Sequence, residues 1–486
     1  MLRLLSTRRV FVIILGLGLF AMAARAVGDP DLFWHLRTGQ QIVLTHSVPH
    51  QDLFSFTRYG QNWVAHEWLS EAIFFLIFHA FGWTGLMVLF AGVIAAAFLA
   101  VYTTCAGRPY IAGLVVALGA LSTIPSWGVR PQMFTLLLAA IFLILLRRAE
   151  LRQATQLRFL WWLLPLQLLW VNLHGGFLLG PALIALTLAG WSIDAWLGRQ
   201  QWSEARGRIL RLGLVLLACL VVIPLNPNGL EIYRYPFQTL QSRTMMEYIV
   251  EWASPNFHSA DFKPFLGLLL LAWTMIAVSR KRLPSSHLLL LLATAYGSLT
   301  SSRHLPIFVL VAVPVIAERL QEVAAGARWL SSLNLPDRPL SPGKLMINAL
   351  LVVLVAGFVG VRLHQVASTQ PETEATRFPL AAIRFMAQQH PPAPIFNYYD
   401  WGGYLIAKLY PNYRVFIDGR ADLYGDLMDK FSTTVRGQGR WRQPLQEYGI
   451  RTVIIPPDSG LAGLLRLDKN WHAAFEDKQA VIFVRN

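Results

Sequence analysis

Gly28-Asp29-Pro30-Asp31-Leu32-Phe33-Trp34-His35-Leu36-Arg37-Thr38-Gly39 follows directly on an apolar run, Val10 to Val27. The stretch continues through Asp52 and Phe54-Ser55-Phe56-Thr57 to Trp63-Val64-Ala65-His66-Glu67-Trp68-Leu69-Ser70-Glu71. Carboxylates, two histidines and several tryptophans thus stand at the mouth of a first membrane-crossing helix. Ionisable groups are expensive at a bilayer, so such a cluster marks a candidate functional site. The plainer alternative is an interfacial helix that is capped by acids and anchored by Trp.

The composition supports a membrane setting. The chain has 486 residues, 55% apolar and only 14% charged, where soluble domains run nearer a quarter charged. Long apolar runs recur over the first three quarters, which defines a polytopic membrane protein. The formal charge of +15 does not mark a nucleic-acid binder, because the basic residues fall in short clusters between apolar runs. Cys105 and Cys219 both lie in or beside such runs, so neither a disulfide framework nor a zinc spacing exists. The opening, with Arg3, Arg8 and Arg9 before Ala21-Met22-Ala23-Ala24-Arg25-Ala26, has the look of a signal peptide. Its length favours an uncleaved first helix.

Eleven spans are expected, about 10–27, 83–104, 109–125, 131–146, 159–173, 176–197, 210–225, 264–279, 284–300, 304–320 and 344–362. With the N-terminus inside, the inner loops collect Arg108, Arg147, Arg148, Arg152, Arg158, Arg199, Arg206, Arg208, Arg211, Arg280, Lys281, Arg282, Arg319, Arg328, Arg338 and Lys344. The short outer turns carry little beyond Arg130 and Arg303, so the Lys/Arg bias sets this topology. The tail then lies outside, and every unusual polar signature falls on the outer face.

The expected fold is therefore a polytopic α-helical membrane module, 1–362, with a small C-terminal α/β domain, 363–486, outside the membrane. The first outer loop, 28–82, should hold two interfacial amphipathic helices, Leu32 to Leu44 and His66 to Phe81. A second long outer loop covers 226–263. The tail alternates β-like runs (394–399, 413–418, 452–456, 480–485) with helical ones (402–409, 441–448), suggesting a mostly parallel sheet.

Within these loops, Asp29 and Asp31 flank Pro30, which biases the preceding residue toward extended backbone. The pair would hold a divalent cation through oxygens, or one would act as general base; Asp-Pro-Asp is equally a helix cap. Glu67 and Glu71 share a helix face. His35 and His66 are candidate ligands or proton carriers, but no second His follows His66-Glu67 at zinc-motif spacing. Arg130 and Arg303-His304 sit at the starts of spans, where guanidinium suits a phosphate. Asn172 and His174 precede Gly175-Gly176, either as binding groups or as a tight hairpin. Glu247 stands in the second loop among aromatic and acidic residues that suit a sugar, or plain interfacial anchoring. Asp400 is either a binding residue or a helix cap.

This arrangement resembles the GT-C superfamily of polytopic glycosyltransferases that use polyprenyl-phosphate sugar donors. The long first outer loop, its two juxtamembrane helices, the acids at its start and the outer tail carry the likeness. It implies an acidic base or metal ligand at Asp29 or Asp31. Tyr398-Tyr399-Asp400-Trp401-Gly402-Gly403, followed by Phe416-Ile417-Asp418-Gly419-Arg420, looks like the Trp-Trp-Asp-Tyr-Gly region of oligosaccharyltransferase catalytic subunits. The aromatics are shuffled here, so sequon recognition does not carry over.

The resemblance implies an enzyme that moves a sugar from a polyprenyl-phosphate-linked donor to a glycan, lipid or protein acceptor. Transfer would occur at the outer face of a bacterial plasma membrane, with Asp29, Asp31 and Glu67 catalytic. A divalent cation, Mg or Mn, would be the only cofactor. Membrane lipids are expected partners and nucleic acid is not. The alternatives are a transporter or flippase for a lipid-linked glycan, which needs polar groups deep within spans, and a non-catalytic assembly factor.

Overall fold

The computed structural model describes residues 6–325 and 341–486; Arg3, Arg328 and Arg338 lie outside them. The chain folds as two compact units. One comprises Met1–Arg25, Met87–Asn226 and Val250–Val366. The other comprises Ala26–Leu86, Pro227–Ile249 and Ala367–Asn486. These bounds differ from a division at 362/363, because the first loop and half of the second fold together with the tail.

The first unit is helical. Among the described residues, six helical stretches of the chain are long and apolar enough to cross a membrane: Trp68–Thr104, Gln132–Glu150, Gly175–Trp196, Trp202–Leu225, Ala260–Val278 and Pro342–Arg377. Shorter or more polar helices occupy the other expected spans, at Thr7–Ala23, Pro109–Ser122, Leu163–Leu173, Ser285–Thr300 and Leu305–Ala325. The protein is thus a multi-pass membrane protein. Leu305–Ala325 is the central helix of its unit, since Leu305 through Ala317 are buried on every side. A helix apolar all round has no solvent face and belongs inside a bundle. By contrast, the helix Pro342–Ser368 exposes Met346, Ile347, Leu350, Val353, Leu354 and Phe358, a lipid-facing pattern.

The second unit is built on a four-stranded sheet of order β1-β2-β4-β3. Its strands are β1 Ile395–Asn397, β2 Thr452–Ile455, β3 Trp471–Glu476 and β4 Val481–Arg485. Only β1 and β2 run parallel; β2–β4 and β3–β4 are antiparallel. The expected mostly parallel sheet is therefore corrected to a mixed one. The cause is the short connection after β3, where Asp477 Oδ1 accepts from the Gln479 and Ala480 amides. So short a link makes a hairpin, not a crossover. Both sheet faces are buried. Ile395, Ile454 and Ile482 point into one core, and Phe396, Val453, Ile455, Val481 and Phe483 into another, the period-two alternation of a strand.

The first core contains first-loop residues as well as tail residues. Phe33, Trp34, Phe54, Trp63 and Ala65 pack with Phe378, Ile383, Met386, Trp401, Tyr404 and Leu405. The segment 413–418 is not a strand of the sheet, which corrects a second expectation. It pairs with the first loop instead: Phe56 N–H donates to Val415 O (3.1 Å) and Val415 N–H to Phe54 O (3.0 Å). On its other side the Asn397 side chain replaces a backbone ladder. Its Nδ2 donates to Ile417 O (2.8 Å) and its Oδ1 accepts from Phe416 N–H (2.8 Å).

Helices form where the two of the first loop were expected, at Leu32–Thr45 and from Trp68 onward. The second runs to Gly82, whose φ of 59° breaks the helix before it continues to Thr104. Glycine alone takes that conformation without a Cβ penalty.

Candidate functional site

In the second unit the acidic motif of the first loop meets the two tail motifs. Asp31 N–H donates to Asp29 Oδ1 (3.0 Å), and Trp34 Nε1–H donates to Asp31 Oδ1 (3.3 Å). These bonds hold both half-buried carboxylates at the start of the helix Leu32–Thr45. A Cβ on Gly419 would overlap Asp31 Oδ1, and one on Gly403 would lie 2.6 Å from Pro30 O. Gly403 and Gly419 are thus required by close approach to Pro30 and Asp31, and Gly402 by close approach to Ile417 O and Asp418. Asp400 stands on the turn before them with an open face, and desolvation by the surrounding protein raises its pKa.

Tyr399 shows how acidic this region is. Burial first, then the charges of Asp31, Asp418, Asp400 and Asp422, push its phenol well above the usual range. Of these, Asp418 is already committed. With Asp52 it clamps Arg420, Nη2 to Asp418 Oδ2 at 2.7 Å and Nη1 to Asp52 Oδ1 at 2.7 Å. Arg420 is 1% exposed and stacked between Phe54 and Trp63 at 5.3 and 4.7 Å. Tyr424 donates to Asp418 Oδ2 as well. Burial opposes the guanidinium charge, but Asp418, Tyr424 and Asp52 hold its pKa well above the ordinary value. Sequence reading gave Arg420 and Asp52 no role; the signal was the Asp418-Gly419-Arg420 run, legible only with its partner loop.

Beside this lies a chain of alternating imidazole and carboxylate groups. His66 Nε2 is 3.2 Å from Glu67 Oε1, Glu67 Oε2 is 3.7 Å from His35 Nε2, and His35 Nδ1 is 3.2 Å from Glu71 Oε1. All four residues are largely or wholly buried. His66 stacks on Tyr235, 3.9 Å between ring centroids. Burial disfavours the charged imidazole, but Glu67 and then Asp422 outweigh it and raise the His66 pKa above 6.5. Asp422 keeps an open face, yet desolvation raises its pKa while His66 and Arg420 oppose the rise. Glu247 is at the surface, paired with Arg243 one helical turn away.

Among the described residues, no group of three or more His, Cys, Asp or Glu is arranged to hold a metal ion. Asp29 and Asp31 offer two carboxylates, the number with which Mg²⁺ is often held when water and substrate phosphate complete its shell.

The remaining candidates belong to the helical unit. Arg130 and Arg303 both face Glu251, Arg130 in direct contact and Arg303 at 4.0 Å. Arg303 also lies over the Trp252 ring at 5.4 Å, and His304 meets that ring edge-on. His174 and Asn172 close a hairpin. Trp170 Nε1–H donates to Thr135 Oγ1 (2.7 Å), which lies 2.8 Å from His174 Nδ1. Gly176 N–H donates to the same Nδ1 (3.0 Å), and Asn226 Nδ2 donates to Asn172 Oδ1 (3.3 Å).

No family model matches the chain, and no curated protein matches it by sequence. Solved structures do. The Archaeoglobus fulgidus oligosaccharyltransferase tethered to an acceptor peptide containing the NVT sequon is 12% identical, with a TM-score of 0.59. The match covers 93% of this chain and 70% of that one. The archaeal oligosaccharyltransferase AglB from the same organism, in complex with an inhibitory peptide and a dolichol-phosphate, is 10% identical with a TM-score of 0.53. It covers 91% of this chain and 68% of that one. The chain shares the fold of these oligosaccharyltransferase structures.

Proposed function

We propose that the protein is a glycosyltransferase that moves a sugar from a polyprenyl-phosphate-linked donor to a hydroxyl or amide acceptor at the outer face of a bacterial plasma membrane. The observation that carries this reading is the convergence, in one unit of a GT-C-like fold, of Asp29-Pro30-Asp31 with Gly403 and Gly419. Asp31 and the open-faced acids Asp400 and Asp422 all act on the buried Tyr399 phenol. The lipid-phosphate and peptide in the neighbouring AglB structure suit a lipid-linked donor and a separate acceptor.

In this reading, the acceptor loses its proton to Asp29, Asp31 or Glu67. Its heteroatom forms the bond to the anomeric carbon as the bond from that carbon to the phosphate oxygen breaks. The phosphate leaves with the electron pair, and the base raises the nucleophilicity of the acceptor. Glu67 lies between His66 and His35. Asp31 is aimed by Trp34. Arg130 and Arg303 supply guanidinium groups of the kind a lipid phosphate takes bidentately. A divalent cation, Mg²⁺ or Mn²⁺, would be held by Asp29 and Asp31 and would supply charge to the leaving phosphate.

The test is transfer from a panel of radiolabelled polyprenyl-phosphate sugars. Purified wild type is compared with Asp29→Asn/Asp31→Asn, with and without a chelator. Turnover by wild type and none by the double variant is expected, and chelator sensitivity would assign the acids to a cation. Full activity in the variant removes the two acids from the mechanism. Donor binding without turnover would instead favour a transporter or an assembly factor.

A further inference from the structure

The helical unit carries a second polar site, at the end of its helices away from Arg130 and Arg303. A cavity of about 510 Å³ opens there, within the range of about 300–1,000 Å³ usual for small-molecule pockets. Its walls come from the ends of Trp68–Thr104, Gln132–Glu150 and Leu305–Ala325, the start of Ser285–Thr300 and the turn before it. The Lys/Arg bias assigns this end to the cytoplasm. The central helix fixes both polar ends: Arg303 and His304 precede it, and Glu318 and Arg319 lie near its last turns.

Six cations face three carboxylates around this cavity. The carboxylates are taken. Glu150 binds His287 (2.7 Å) and Ser286 (2.7 Å), Asp194 binds Arg199 and Ser285, and Glu318 pairs with Arg147 at 3.4 Å. Arg319 is spent on Ser279 and the Lys281 and Arg282 carbonyls. What is left over is positive. Among the described residues, the side chains of Arg148, Lys281 and Arg282 make no ion pair or side-chain hydrogen bond. Arg208 also lines the cavity, with its Nη2 spent on the Ala149 and Glu150 carbonyls. Beneath the cavity, an apolar pocket that shares Thr104, Arg147, Glu150 and His287 holds only about 30 Å³, room for about two waters. The site therefore takes a compact polar group and admits no hydrocarbon chain below it.

We infer that this cavity binds a phosphate-bearing anion, with Arg148, Lys281 and Arg282 at its rim. The phosphate comes from a phospholipid headgroup or from a free ion. The site is independent of glycosyl transfer, and its failure would leave that reading untouched.

Full-length protein in a neutral maltoside detergent is examined by native mass spectrometry with phosphatidylglycerol and phosphatidylcholine. In parallel, its melting is followed with inorganic phosphate against chloride at matched ionic strength. Two triple variants are compared. Arg148→Gln/Lys281→Gln/Arg282→Gln alters the rim. Arg152→Gln/Arg206→Gln/Arg211→Gln removes the same charge from exposed positions that do not line the cavity. We expect wild type to retain one probe, the rim variant to bind it about tenfold to a hundredfold more weakly, and the control variant to bind within about twofold of wild type. Retention of phosphatidylglycerol alone assigns the headgroup; a response to phosphate assigns the free ion. Equal weakening in both variants reduces the effect to general surface charge and overturns the proposal, as does the absence of binding to either probe by wild type.

Discussion

Arg420 and Arg303 are both arginines set against carboxylates and an aromatic ring, and they differ in what is left to bind. Arg420 is 1% exposed, with Asp52 and Asp418 on its guanidinium and Phe54 and Trp63 on its faces. Arg303 is 30% exposed over Trp252, and it shares the single carboxylate Glu251, itself 32% exposed, with Arg130. In the first cluster two carboxylates enclose one buried cation; in the second two half-exposed cations both face Glu251. The first joins loop and tail. Exposure, more than the residue types, sets the two clusters apart.

The largest effect should follow from breaking the first cluster. Arg420→Met keeps the apolar bulk between Phe54 and Trp63 but leaves Asp52 and Asp418 buried without a cation. Removing one partner of a buried pair costs about 3–5 kcal/mol. Limited proteolysis should then cut the tail and first loop readily, and transfer should vanish. Wild-type protease resistance in this variant would show that the clamp is dispensable.

Gly419→Ala is expected to act next. The added methyl overlaps Asp31 Oδ1, and overpacking of this kind costs about 1–3 kcal/mol. Because the displaced group is a proposed catalytic carboxylate, activity should fall further than the melting temperature. A variant with normal turnover would detach Asp31 from the chemistry.

Arg130→Gln/Arg303→Gln tests the opposite pole of the comparison. These partly exposed pairs contribute below about 1 kcal/mol each, so the melting temperature should barely move. Donor affinity should nevertheless drop about tenfold or more if the guanidiniums hold phosphate. A large loss of stability with unchanged affinity would make this cluster architectural too.

Much of this was legible in the sequence, for a physical reason. Apolar runs and the Lys/Arg bias report on the bilayer, which acts on each segment locally, so helices appeared where expected. The acids at Asp29 and Asp31 and the pair His66-Glu67 were visible because charge beside a membrane is costly. What escaped depends on distant partners. The run 413–418 has strand composition, but its pairing partner is 54–57 of the first loop. The strand Trp471–Glu476 was missed because half-exposed residues dilute its pattern. Asp52 carried no local signal at all, since its meaning is Arg420.

The smallest expected effect concerns His66, which lies between the two poles: partly accessible, yet tied to Glu67 at 3.2 Å. Its folded-state pKa is raised above 6.5 by Glu67 and Asp422 acting against burial. The stabilisation is therefore fully present below pH 6.5 and is lost as pH rises through the raised value. The groups that face the ring are Glu67, Asp422, Tyr235 and the Val64 carbonyl. His66→Gln keeps a hydrogen-bonding side chain but cannot titrate. Melting temperatures measured from pH 6 upward should fall in wild type relative to this variant, by about 1–3 °C for a contribution below about 1 kcal/mol. Parallel pH profiles in the two proteins would mean that the His66–Glu67 pair carries no net charge interaction. The alternating chain through Glu67, His35 and Glu71 would then be a packing arrangement alone.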